Sequence, residues 1–87
     1  MKLVIAILKD ADSDAAIQAL TTAQFRVTRI ASTGGLLRRG VATLLVGVED
    51  EKVDAAIEVL RASTPQPAPG EKRATIFVVD VARHIQV

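Results

Sequence analysis

Four arginines and three hydroxyl side chains crowd into the segment 26–39: Arg26, Thr28, Arg29, Ser32, Thr33, Arg38 and Arg39. Guanidinium groups offer planar, charge-assisted donors that suit phosphate or carboxylate oxygens. Gly34-Gly35 and Gly40 add backbone freedom and free N–H groups to the same stretch. The chemistry on offer is anion binding. Catalysis has no comparable support. The chain has one histidine, His84, close to its end, and no cysteine. No metal-ligand spacing surrounds that histidine, and nothing specific points to a serine–histidine–acid arrangement. The expectation is therefore no enzyme, no metal and no cofactor, with His84 an exposed tail residue.

Positioning these groups requires a strand, a tight loop and a second strand. Phe25 and Val27 alternate with Arg26 and Thr28, the period-two pattern of a half-exposed strand over Phe25–Ile30. The glycines bound a sharp reversal, and Thr43–Val48 is nearly all apolar, as in a strand covered on both faces. Ahead of this unit, Leu3–Leu8 is a continuous apolar run and a candidate central strand. Asp10, Asp12 and Ser13 are candidate caps for a helix over Asp12–Gln24. Its inward face is Ala16, Ile17, Leu20 and Ala23. After it, Glu49, Asp50 and Glu51 place acids at a second helix start, whose stripe is Val53, Ala56, Ile57 and Leu60. The three prolines fall in Ser63–Gly70, and the loop 63–73 is expected to be flexible. Ala74–Val81 is another apolar strand. Arg83–Val87 alternates weakly, consistent with a short terminal strand.

Eighty-seven residues make a single domain over 1–87, near the size where one core is only just sufficient. Without cysteine, no disulfide reinforces it. A net charge of +1 provides no general field for nucleic acid or an anionic membrane. The apolar run after Met1-Lys2 ends at Lys9-Asp10, too short for a signal-peptide core or a membrane span. These features describe a cytoplasmic domain of bacterial type.

An internal repeat sets the topology. Asp14-Ala15-Ala16-Ile17-x-x-Leu20 returns as Asp54-Ala55-Ala56-Ile57-x-x-Leu60, and the same offset aligns Leu3–Leu8 with Thr43–Val48. Two βαβ units in tandem make βαββαβ, a ferredoxin-like α+β fold. Right-handed crossovers put both helices on one face of a four-stranded antiparallel sheet. Yet Leu3–Leu8, Thr43–Val48 and Thr75–Val79 largely lack polar residues at alternate positions, so the other face would also be apolar. Soluble monomers rarely leave such a patch bare, which predicts symmetric copies packed on it.

The run Thr28–Gly40 (TRIASTGGLLRRG), followed by TLLVGVEDEKVD, resembles the PII-like cyclic-di-AMP receptors of bacteria. The likeness runs from Lys2 to about Leu60 and resumes at Ala74–Val81. It implies a homotrimer with sheets packed inside and a cyclic dinucleotide in each intersubunit cleft, signalling to an unknown downstream protein. It further implies ligand contacts from Arg26, Thr28, Gly35, Leu37 and Gly47, with Arg38 in a second tier. Arg26 would pair with phosphate, and Thr28 would hydrogen-bond an adenine edge. Two positions depart from the pattern. Leu36 stands where the family implies a phenylalanine over adenine, which keeps an apolar surface but loses stacking. Val41 stands where it implies an asparagine, and valine neither donates nor accepts. The loop between Ala62 and Arg73 is also shorter than the family's. The alternative is a trimeric scaffold module of the same fold that has lost cyclic-di-AMP binding.

Overall fold

The computed structural model describes residues 1–32 and 40–87. Its elements run β1 (Lys2–Lys9), α1 (Asp10–Thr22), β2 (Arg26–Ser32), β3 (Val41–Val48), a 3-10 turn (Asp50–Lys52), α2 (Val53–Ser63) and β4 (Ala74–Asp80). The four strands form one antiparallel sheet in the order β2-β3-β1-β4. This is the ferredoxin-like α+β architecture that the repeat predicts.

One sheet face is closed by the two helices. Val4, Ala6 and Leu8 of β1 and Leu44, Val46 and Val48 of β3 pack there against Ala16 and Leu20 of α1 and Ala56 and Leu60 of α2. Each of these is essentially solvent-free. The repeat is thus a packing repeat: Ala16 and Ala56, and Leu20 and Leu60, occupy equivalent places under the sheet. Phe25, just ahead of β2, and Val27 within it complete the same layer.

Residues of the opposite face line up in cross-strand rows given by the register. One row is Arg26–Gly47–Leu3–Val79, the next Thr28–Leu45–Ile5–Phe77, and the third Ala31–Thr43–Ile7–Thr75. Among the described residues no helix covers these rows. Phe77 is 53% exposed and Val79 41%. A register shift between Arg29 and Ala31 leaves Ile30 as an extra residue on β2, and the bulge exposes its side chain.

Three local expectations change. The first helix begins at Asp10, not Asp12, and no side chain caps its N-terminus. Instead Asp10 and Ser13 are buried within the first turn, where Ser13 Oγ donates to the Asp10 carbonyl at 2.8 Å. The helix ends at Thr22 in a Schellman motif without glycine. Gln24 N–H donates to Thr21 O and Phe25 N–H to Leu20 O, with Gln24 at φ 71°. Finally, Arg83–Val87 forms no strand. The tail leaves β4 with one backbone bond, Val81 N–H to Met1 O at 3.1 Å, and gains no ladder partner.

Candidate functional site

Strand alternation sorts the arginine-rich segment before any ligand is considered. Arg26 and Thr28 stand on the open sheet face, whereas Arg29 lies across from Leu44, on the helix side. There Arg29 donates to Ser13 Oγ at 3.0 Å and pairs with Asp14. Arg29 is therefore a structural clasp between β2 and α1, and its charge is withdrawn from the anion equipment. Thr33, Gly35, Leu36, Leu37, Arg38 and Arg39 lie outside the described residues.

On the open face, Arg26 and Thr28 of β2 meet Leu45 and Gly47 of β3 and Leu3 of β1 around a cavity of about 350 Å³. Gly47 sits directly opposite Arg26 in the register. Its missing side chain keeps the floor low: a Cβ there would come within 3.2 Å of the Met1 methyl. Among the described residues nothing hydrogen-bonds to the Arg26 side chain, and no carboxylate lines this cavity. The floor is aliphatic and the rim carries a guanidinium and a hydroxyl. That combination suits a ligand with a flat apolar part and an anionic part.

The remaining wall is the tail. Val81, His84 and Gln86 line the same cavity as Arg26 and Thr28. Since β4 is three strands from β2 and strands lie about 4.8 Å apart, the chain after Asp80 must turn back across the sheet. Its departure point is held by Lys2 and Asp80, opposed in the register and joined as an ion pair. The hydrogen bond from Lys2, and then its charge, hold the Asp80 carboxyl below its ordinary range; the same pairing raises the Lys2 ammonium. His84 is an exposed tail residue, as expected, and it also lines the cavity bordered by Arg26 and Thr28. The signal for it lay in the polar half of the Arg83–Val87 alternation.

Val41 is not part of this group. It starts β3, 47% exposed, and lines a separate cleft of about 190 Å³ with Ile7, Lys9, Lys72 and Arg73. Six residue-to-residue steps along the strand separate it from Gly47, about 20 Å at ~3.3 Å per step. Another cleft, of about 310 Å³, lies between α2 and the proline-rich loop and carries none of the predicted site residues. Among the described residues, no three histidine or acidic side chains converge as a metal site would need. Among the described residues no helix is long and apolar enough to cross a membrane.

Two comparisons bear on this geometry. The family described as "Cyclic-di-AMP receptor" matches residues 1–68. Among solved structures, a functionally unknown protein from Pediococcus pentosaceus ATCC 25745 is similar over 99% of this chain and 96% of its own. That pair shares 27% sequence identity, with a TM-score of 0.76.

Proposed function

The chain belongs to the cyclic-di-AMP receptor family, and from that premise we propose that it is a cytoplasmic bacterial signalling protein. It binds a nucleotide, cyclic-di-AMP foremost, in clefts between the subunits of a homotrimer and passes the signal to a protein partner. The observation that carries this reading is the acid-free cavity on the open sheet face, where Arg26, Thr28 and Gly47 converge. Arg26 pairs with a phosphate, Thr28 meets a base edge, and Gly47 lets the ligand approach the backbone. Gly35, Leu36 and Leu37 are proposed as further ligand contacts on the strength of the family resemblance.

The distance between Gly47 and Val41 supports the intersubunit arrangement. A separation of about 20 Å along one strand is long for one cyclic dinucleotide to bridge within one protomer. The proposed assembly requires that one protomer's Arg26 end meet a neighbour's Val41 end.

Val41 also favours the second reading, a trimeric scaffold that no longer binds cyclic-di-AMP. A buried base edge left without a partner costs about 1–3 kcal/mol, one to two decades of affinity. Thermal shift with cyclic-di-AMP, cyclic-di-GMP and ATP separates the readings. A ligand at a hundredfold excess over its Kd stabilises by about 2.7 kcal/mol, so micromolar binding is visible. Cyclic-di-AMP should raise the melting temperature of the wild type, and Arg26→Ala should abolish the shift. Val41→Asn should enlarge it. A wild type that fails to respond, with a Val41→Asn variant that does, establishes the scaffold reading. Silence from both proteins toward every nucleotide overturns the site.

A further inference from the structure

We propose that His84 contacts the ligand directly, as a second phosphate donor facing Arg26 across the cavity; this rests on the reading of that cavity as the nucleotide site. The tail's orientation is the first reason. His84 and Gln86 line the cavity, while Ile85 is 61% exposed and Val87 lies fully in solvent. The floor beneath them is aliphatic, with Leu3, Leu45 and Val81. Hydrophobic burial acting alone would turn Ile85 and Val87 onto that floor and leave the polar pair in water. The tail instead turns His84 and Gln86, both still exposed, along the cavity wall, and what it gains there is a donor.

Availability is the second reason. Among the described residues His84 has no side-chain hydrogen bond or ion pair, and neither has Arg26. No acid lines the cavity they share; Glu49 belongs to an adjoining cavity that Arg26 also borders. A phosphodiester oxygen accepts from a guanidinium on one side and from an imidazole N–H on the other, and such charge-assisted bonds are the strong ones. Arg26 is anchored in a strand. His84 rides on a tail held by one backbone bond, so it can adjust to the ligand after Arg26 has engaged it.

His84 is the chain's only histidine, which makes the test direct. Full-length wild type, His84→Ala, His84→Asn and Arg26→Ala are titrated with cyclic-di-AMP by calorimetry, and the imidazole signals of the wild type are followed by NMR. His84→Ala should weaken binding about tenfold or more, the size of one hydrogen bond to a charged group. His84→Asn keeps an N–H donor and should recover most of that loss. Since His84 is exposed, both variants should melt at the wild-type temperature without ligand. The lone imidazole resonances should move in proportion to ligand bound. Wild-type affinity in His84→Ala, or imidazole signals unmoved at saturation, overturns the role of His84 while leaving the site intact. A wild type that binds no nucleotide overturns both.

Discussion

A single side chain illustrates how this fold departs from residue-level rules. Gln24 occupies the left-handed position that ends α1, at φ 71°. Glycine normally fills this position, because a Cβ there crowds the following carbonyl. The motif persists because Phe25 and Leu20, the residues it brings together, both sit in the core layer. The chain therefore accepts local strain for a contact it needs. Gln24→Gly should relieve that strain and stabilise the fold by roughly 0.5–1 kcal/mol, read as a higher urea midpoint with an unchanged slope. A lower midpoint would mean that the glutamine side chain itself contributes packing.

Among the elements, the proline-rich connection divides into a buried start and an exposed remainder. Thr64 is 7% exposed, and its Oγ1 donates to the Leu60 carbonyl at 3.0 Å. Ser63 Oγ reaches the same carbonyl at 3.2 Å. These hydroxyls satisfy the last carbonyls of α2, the task that a C-terminal glycine motif performs elsewhere. Beyond them, Ala68-Pro69-Gly70-Glu71 closes a turn through Glu71 N–H to Ala68 O, with Gly70 at φ 84°. An exposed Lys9–Glu71 pair ties the turn back to β1. Thr64→Val keeps the shape and removes the donor, so it should cost about 1 kcal/mol. Replacing 65–70 by a Gly-Ser turn should leave the melting temperature nearly unchanged, because an exposed pair contributes little. A large fall in the loop replacement would show that the prolines pack on the core.

For the whole molecule the question is what covers the open sheet face. Leu45, Ile5 and Phe77 form its central row, flanked by Leu3 and Val79 on one side and Ile7 on the other. A surface of this size and character is the kind that symmetric assembly buries. The proposal that it assembles predicts, in light scattering, a particle of three 9.2 kDa chains. Ile5→Lys places a charge at the centre of that face without touching the helix-side core, so the variant should be a folded monomer. It should also lose cyclic-di-AMP binding, since the proposed cleft needs two protomers. A monomeric wild type would sink the assembly and the intersubunit site together.

Sequence alone determined the topology, because the repeat and the period of each apolar stripe are local and state their own burial requirement. It also determined which side of β2 carries Arg26 and Thr28, since alternation leaves only one side for residues flanked by Phe25 and Val27. Membership of the family was legible in Thr28–Gly40 for the same reason: contiguous residues keep their spacing. Tertiary structure decided what depends on distant parts of the chain. Arg29 looks like its neighbour Arg26 in sequence, but it is committed to Ser13 and Asp14, brought near by the crossover through α1. Val41 and Gly47, close in sequence, are held apart because an extended strand spends every residue on length. His84 lines the same cavity as Arg26 only because the tail leaves the opposite edge strand and crosses the sheet. No periodicity encodes such a crossing, because it is selected by the surface it lies on and not by the residues that make it.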